Sequence, residues 1–251
     1  MPRQARKRSG TGIYHIMLRG IDKRNIFLDD EDRNIFIEKI KKAKEKANFE
    51  IYAYCLMDNH IHLLIMESED IGTSIKRITV GYVTWHNNKY GRTGHLFQNR
   101  YNSEVVESES YLLTVLRYIH QNPVKARMVD KAEQYIWSSY KEYELVYQQK
   151  ETFINDRVVK NYFKKICDFK VYINEKNNDQ CMDYHDKIKY TDNQLKGKLD
   201  QEGIIEKIKE EVDIDVRNEI IKEIYEELGV SIRQLGRVLG LGKAIVEKAL
   251  R

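Results

Sequence analysis

No apolar run in the 251-residue chain approaches the ~20 residues that a bilayer crossing needs. The basic start, MPRQARKRSGTG, lacks the apolar stretch of a secretory signal. Neither a membrane protein nor an exported one is expected. Cysteine is sparse: Cys55, Cys167 and Cys181 are scattered, odd in number and in no CxxC pattern. That excludes a disulfide framework and a cysteine zinc site, and it suits a reducing compartment. There is no HExxH and no further His or Cys at zinc spacing, so a zinc hydrolase with its usual strong protein ligands is not indicated. No internal repeat is visible. A cytoplasmic location is the expectation.

What the chain does contain is enough apolar material for a core: 41% hydrophobic residues and 10% aromatic. Disorder throughout is therefore not expected. The length suits one medium domain with an appendage, or two small domains. Net charge is only +4, but the basic residues cluster. Arg3, Arg6, Lys7, Arg8, Arg19, Lys23 and Arg24 crowd the first 24 residues against a single acid, Asp22. Arg92, Arg100, Arg117, Lys125 and Arg127 form a second group. Such clustering fits a polyanion partner, with a solvated basic face as the plainer alternative.

Periodicity orders the first half of the chain. Residues 13–18 (IYHIML) are β-branched and aromatic and read as a strand. Over 30–47, Ile35, Phe36, Ile40 and Ala43 fall at helical spacing, with acids leading and lysines closing as the helix dipole favours. Residues 49–57 and 60–66 read as strands joined by a tight turn at Asp58-Asn59, hence a hairpin. A helix over 70–90, a loop GRTG at 91–94, a strand ending near 106 and a helix over 109–122, ended by Pro123, follow. The order β-α-β-β-α-β-α is a split βαβ pattern of the ferredoxin-like type, an α+β fold on an antiparallel sheet. Many functions share it. The expected domains are 1–145 for this fold, 146–203 for a polar, partly helical connector rich in Asn, Asp, Lys and Gln, and 204–251 for a helical module.

The chemistry-bearing residues sit on two of these elements. His60-Ile61-His62 lies in a predicted strand, where period 2 puts both imidazoles on one face. Such a pair can share one metal ion. On the 109–122 helix, Tyr118 and Asn122 stand at i and i+4 on one face, beside a core stripe of Leu112, Val115, Leu116 and Ile119. Tyrosine is a competent covalent nucleophile when a metal polarises the group it attacks, and the Asn122 amide oxygen is a candidate third ligand. Alternatives stay open at this level. There are 17 tyrosines, Tyr111 shares the face of Tyr118, and His120 and Gln121 are rival ligands lying off it. His15, on a strand, reads more readily as a core histidine than as a ligand.

MDNHIHLLI at 57–65 resembles the HUH motif of single-tyrosine DNA transposases, in which U is a hydrophobic residue. YIHQNPVKA at 118–126 resembles their tyrosine helix. YHIMLRG at 14–20, IFLDDEDR at 26–33, GHLFQNRY at 94–101 and YIWSSY at 135–140 are similar to blocks of the REP-associated tyrosine transposases, chromosomal relatives of the 200/605 insertion-sequence group. The blocks run in order from residue 2 to about 145.

The resemblance implies a transposase: a single-stranded DNA endonuclease and strand transferase acting near palindromic hairpins. It implies Mg²⁺ or Mn²⁺ held by His60, His62 and a side chain four residues past the tyrosine. Relatives often carry Gln there and this chain carries Asn122, one methylene shorter, so a bridging water is an alternative to direct coordination. It implies that Tyr118 attacks the scissile phosphate, leaving a 5′-phosphotyrosine and a free 3′-OH, and that a 3′-OH on another strand reverses the step. The basic arm, with Arg3, Arg6, Lys7 and Arg8, is expected along a DNA hairpin, and Arg19, Arg92 and Arg100 are candidate contacts to phosphates or loop bases. His15 and Gln98 match recurrent positions of the family. Tyr14, Tyr82, Tyr90 and Tyr101 are candidate stacking platforms, and Trp137 and Tyr140 are expected to pack. A monomer is expected rather than the helix-exchanging dimer of insertion-sequence relatives, in the cytoplasm with the nucleoid.

The C-terminal module has its own grammar. A helix at 218–228 with Gly229 as C-cap, Ser231 capping IRQLGRVLG, a break at Gly240 and a second helix opened by Gly242-Lys243-Ala244 fit a helix-turn-helix. Leu235, Leu239, Leu241 and Val246 take inward positions, and Gly236 permits close helix approach. Duplex DNA is the expected partner, with Lys243 on the recognition helix; a helical hairpin that packs on another protein surface is the alternative. Other readings of the whole chain compete with the transposase. A non-catalytic DNA-binding regulator on the same scaffold would show a lost His or tyrosine, and neither is lost. A relaxase or replication initiator often orders its motifs differently or pairs its tyrosines. A metallohydrolase would leave Tyr118 dispensable.

Overall fold

The structure, a computed structural model, describes residues 6–183, 190–228 and 230–250. It divides into two compact units, Met1–Asp183 and Tyr184–Arg251. In the first, strands β1 (Ile13–Arg19), β2 (Glu50–Met57), β3 (His60–Met66) and β4 (Asn102–Val105) form an antiparallel sheet in the order β2-β3-β1-β4. With helices α1 (Asp30–Ala47), α2 (Ile71–Lys89) and α3 (Glu109–Lys125), the element order is the split βαβ order read from the sequence.

Local chemistry explains the starts of these elements. Asp29 and Asp32 form a reciprocal capping box at α1, with the Asp32 N–H donating to Asp29 Oδ1 at 3.0 Å. Asp70 and Ser108 cap α2 and α3 by accepting from Thr73 and Tyr111 N–H groups. Two residues, Asp58 and Asn59, join β2 to β3, so Met57 pairs with His60 and the register follows.

Strand alternation then divides the side chains. Tyr14, Ile16 and Leu18 share a face with Ile61, Leu63 and Ile65; His15, Met17 and Arg19 share the other with His60, His62 and Leu64. The first face is covered by α2, on which α1 packs through the Phe36 ring, 5.0 Å from that of Tyr82. The second is covered by α3. The outer edge of β2 is occupied by residues 135–139: Leu56 N–H donates to Trp137 O, Ser139 N–H to Tyr54 O, and the Tyr135 hydroxyl to Leu56 O. Trp137 and Tyr140 pack against the core, as expected.

Two expectations need correction. Pro123 does not end its helix, which runs on to Lys125. Proline removes one backbone bond there, and Ala126 N–H to Asn122 O at 2.9 Å closes the turn beyond it. Residues 146–203 also form no separate connector. Helices α4 (Tyr140–Tyr147), α5 (Arg157–Tyr162) and α6 (Ile166–Asn174) bury Tyr143, Val159, Phe169 and Ile173 in the first core. Helix α7 (Asp192–Gln201) instead buries Leu195 and Leu199 in the second. The polar composition is real, but each short helix needs only a narrow apolar stripe to dock.

The second unit adds α8 (Ile204–Glu210), α9 (Ile214–Leu228), α10 (Ile232–Leu239) and α11 (Lys243–Ala249) around Ile221, Ile224, Leu235 and Val246. Ser231 caps α10 by accepting from Gln234 N–H at 3.2 Å, and Gly240 follows as its C-cap. Leu235, Leu239 and Val246 are buried and Leu241 is half-buried. A Cβ on Gly236 would stand 2.9 Å from Leu241 O, so the turn is close packed. Gly229 lies outside the described residues. Among those described, no helix is long and apolar enough to cross a membrane.

Gly20, which closes the YHIMLRG block, has a physical reason to be glycine. A Cβ there would sit 2.0 Å from Arg24 O. The chain cannot retreat, because Gly20 N–H is bonded to Asn59 O at 2.8 Å and Ile26 N–H to Asp58 O at 2.6 Å. Gly20→Ala is expected to cost about 3 kcal/mol, read as a lower urea midpoint at unchanged m-value. An unchanged midpoint would show that this turn yields freely.

Candidate active site

The sheet register builds half of the site. Met17 stands opposite His62 and Arg19 opposite His60, so both imidazoles leave the sheet on the α3 side. Their ring centroids are 5.1 Å apart and the planes nearly perpendicular. His62 is fully buried and His60 half-buried. Helix α3 supplies the other half. With Leu112, Val115, Leu116 and Ile119 buried beneath it, it brings the Tyr118 ring to 5.9 Å from His62 and 6.0 Å from His15, between centroids. Thus residues far apart in sequence form one cluster. One turn on, Asn122 is buried and its Nδ2 donates to Tyr118 O at 2.8 Å. The amide nitrogen is thereby fixed to the helix backbone, and Oδ1 takes no part in that bond.

The rival ligands are engaged elsewhere. His120 is buried with Nδ1 at 2.9 Å from Leu116 O and Nε2 at 2.8 Å from Ser139 Oγ. Gln121 donates through Nε2 to Ile173 O and Glu175 O.

His15 is a satisfied core histidine, but its partners matter: Nε2 lies 2.9 Å from His62 Nδ1 and Nδ1 lies 3.4 Å from Glu104 Oε2. Burial, then the neighbouring His15 and His60, holds His62 well below the usual imidazole range. Burial also lowers His60, whose Nδ1 is 2.7 Å from Asn59 Oδ1. Both rings are thus favoured in the neutral form that metals bind. His62 Nε2 is buried with no hydrogen-bond partner among the described residues. An orphaned buried nitrogen is costly unless a group from outside the polypeptide satisfies it. A divalent ion at that nitrogen fits. Among the described residues, no three or more His, Cys, Asp or Glu side chains are grouped to hold a metal, so the amide of Asn122 and oxygens of a substrate would complete the shell.

Residues 175–183 run back over α3. Arg117 holds Asp179 by two bonds of 2.7 and 2.9 Å and Glu175 by one of 3.1 Å. Asn177 donates to Gln121 Oε1 at 2.9 Å, and Met182 N–H to Glu104 Oε2 at 3.0 Å. Burial raises the Glu104 carboxyl, but bonds from His15, Met182 N–H and Tyr111 outweigh it and hold the group below the usual carboxylate range. Tyr118 is only 4% exposed; burial, with the Asp183 carboxylate beside it, pushes its hydroxyl well above the ordinary phenol range. Sequence reasoning missed Glu104 and this strap. The strap reads as a mobile polar stretch, NEKNNDQ, and Arg117, grouped above with residues facing a polyanion, is paired with it.

The other basic residues gather elsewhere. Arg6, Lys7, Arg8 and Arg100 line an open cavity of about 1190 Å³, with Lys76 and Tyr101. Its wall includes Tyr14 and Leu18, so it lies on the sheet face away from the histidine pair and holds none of His60, His62 or Tyr118. Arg6 stacks 3.7 Å above the Tyr101 ring and donates to Tyr101 O at 2.6 Å. Tyr101 keeps partial exposure, with Arg6 over one face of its ring. Tyr14 and Tyr82 are core residues instead, and the Tyr90 hydroxyl is engaged by Asp32 at 2.9 Å. Arg19 ends β1 on the histidine face, and half-buried Arg92 follows α2 with its N–H on Asn87 O. Lys243 opens α11 and pairs with Glu247 at 2.9 Å. Arg3 lies outside the described residues.

Residues 10–122 match the family model described as IS200-like transposase, a segment that begins ahead of β1 and ends on Asn122. Over this segment, a little under half of its length, the chain is similar to the IS200-like transposases. Within it, the likeness is to REP-associated tyrosine transposases. A Haemophilus influenzae protein of that description is 26% identical over 142 residues, 51% of this chain and 80% of its own length. A solved structure of a REP-associated tyrosine transposase bound to a REP hairpin shares the fold, with a TM-score of 0.54 over 76% of this chain and 100% of that one, at 16% identity.

Proposed function

We propose that this chain is a transposase that cleaves and rejoins single-stranded DNA beside palindromic hairpins, with Tyr118 as nucleophile and Mg²⁺ or Mn²⁺ at His60, His62 and Asn122. The observation that carries the reading is the approach of Tyr118 to the histidine pair from a separate element, 5.9 Å between ring centroids. Two imidazoles and an amide oxygen, with the remaining positions open, suit an ion that keeps oxygen ligands better than a zinc site. When bound, the ion supplies polarisation of the scissile phosphate and neutralises its charge.

The chain's own residues do the rest. The Tyr118 oxygen attacks phosphorus, its proton leaving as the O–P bond forms, and the 3′-oxygen is expelled and leaves as a hydroxyl. A 3′-OH on another strand then attacks the phosphotyrosine, and the phenol regains a proton. One phosphodiester is exchanged for another, so no external energy source is needed. His15 and His62, side by side on the sheet, both pack against the phenol ring. A phosphate reaches its hydroxyl once residues 175–183 draw back.

The solved relative binds a REP hairpin; we extend hairpin binding to this chain. The cavity of Arg6, Lys7, Arg8 and Arg100 offers phosphate contacts and Tyr101 a stacking surface, with Arg3, Arg19 and Arg92 as further contacts. The α10–α11 pair, with Lys243, is proposed to add duplex contacts as a helix-turn-helix. The protein would act as a monomer in the cytoplasm, on the nucleoid. The double variant Arg6→Ala/Arg100→Ala is expected to weaken hairpin binding across sequences and to reduce the slope of log affinity against log salt by about 2. Fluorescence anisotropy at several salt concentrations reads this; an unchanged slope would remove the cavity from the interface.

A second reading has one observation in its favour. Tyr118 is 4% exposed, as suits a regulator that binds DNA without cutting it. Incubation with oligonucleotides carrying palindromes that flank the gene, with and without Mn²⁺, separates the two. A metal-dependent adduct that survives denaturation supports the transposase reading; binding without cleavage of every palindrome supports the regulator.

A further inference from the structure

Glu104, His15 and His62 make a hydrogen-bonded line across three neighbouring strands. The β1–β4 pairing sets Glu104 opposite His15. His15 Nδ1 lies 3.4 Å from Glu104 Oε2, and His15 Nε2 lies 2.9 Å from His62 Nδ1. Both imidazoles are fully buried, with rings stacked at 5.2 Å between centroids, so solvent offers neither an alternative partner. The line ends at His62 Nε2, buried and unpartnered among the described residues.

The donors and acceptors along this line permit one arrangement for neutral imidazoles. An ionised carboxylate only accepts. His15 therefore donates from Nδ1, which leaves its Nε2 an acceptor. His62 then donates from Nδ1, and its Nε2 keeps a lone pair directed into the site. Reversing the direction would aim the lone pair of His15 Nδ1 at the carboxylate and put a proton on the nitrogen that a metal needs.

We infer that Glu104 and His15 are positioning residues that fix the Nδ1–H tautomer and ring angle of His62, presenting Nε2 as a metal ligand. The inference rests on the metal reading proposed above. A carboxylate or carbonyl commonly plays this part for a ligating histidine directly. Here a second histidine carries the instruction from a carboxylate two strands away. Glu104 also accepts from Met182 N–H, so the strap and the ligand orientation meet on one carboxylate.

The test uses the full chain labelled with ¹⁵N in histidine, as wild type, Glu104→Gln and His15→Gln. Long-range ¹H–¹⁵N correlation without metal reads the His62 tautomer, which a merely space-filling role would not move. Titration with Mn²⁺, followed by the resonance signal of the free ion, reads affinity. Glu104→Gln is nearly isosteric at a half-exposed position, so it keeps the fold even where His15→Gln fails to fold; melting curves check both. The expected result is Nδ1–H in wild type, a mixed or Nε2–H form in the variants, and Mn²⁺ Kd values raised about 10–100-fold. Nε2–H in wild type overturns the inference, as does Nδ1–H retained in every folded variant. A lost tautomer with Mn²⁺ affinity within about threefold of wild type overturns the link to ligation. Tautomer control with no Mn²⁺ bound by wild type is different: it fails the metal reading itself.

Discussion

Tyr118→Phe is expected to reduce DNA cleavage by a factor on the order of 10⁴ or more, with hairpin affinity within about twofold of wild type. The substitution removes one oxygen and keeps the ring. The ring is what packs against His15 and His62 and lies 4.4 Å from the Lys125 ammonium, so the α3 face is preserved. The basic cavity is on the other face of the sheet and does not sense the change. Stability should fall only slightly, because the hydroxyl's hydrogen bond to the Asp183 carboxylate is lost but that exposed carboxylate can turn to water. Gel assays on end-labelled hairpin oligonucleotides measure cleavage, and anisotropy measures binding. Cleavage persisting in the variant would move the nucleophile elsewhere, with Tyr111 the first to examine.

His62→Ala is expected to have two separable effects. Mn²⁺ binding and cleavage should both fall by about 10³-fold or more, since one of only two imidazole ligands is gone. Stability should also fall, by about 2–4 kcal/mol, because the substitution opens a cavity under α3 and strips His15 Nε2 of its partner at 2.9 Å. The two effects are distinguished by His60→Ala. His60 is half-buried and its Nδ1 partner is the adjacent Asn59, so its removal should reproduce the metal loss with a smaller stability loss. Calorimetric titration with Mn²⁺ and urea melts on both variants check the pair. Wild-type metal affinity in His62→Ala would exclude the histidine pair as the metal site.

The features of the site that are legible in the sequence have short-range causes. His60 and His62 alternate with apolar residues and follow a two-residue turn, so their common face is a property of the strand itself. Tyr118 and Asn122 are one helical turn apart, which any α-helix aligns. What the sequence hid depends on contacts between distant segments. His15 looked like a core histidine, and it is one; only the register of three strands makes its partners His62 and Glu104. Arg117 looked like part of a basic surface, and its partner Asp179 lies in a stretch with no apolar period at all. Tyr14, Tyr82 and Tyr101 are equivalent in composition, and burial alone separates the core pair from the residue left open beside Arg6. The helices between residues 157 and 201 were obscured because stripes such as Val158, Val159 and Phe169, or Leu195 and Leu199, are too short to stand out from polar surroundings.

Peptide mapping of the adduct identifies the atom that forms the bond to DNA, expected to be the Tyr118 oxygen. The protein would be incubated with a cleavable hairpin oligonucleotide and Mn²⁺, denatured, digested with nuclease and protease, and sequenced by tandem mass spectrometry. A nucleotide-phosphate mass is expected on Tyr118 alone, absent when the metal is chelated. The same mass on another tyrosine, or cleaved DNA with no modified peptide, would contradict that assignment.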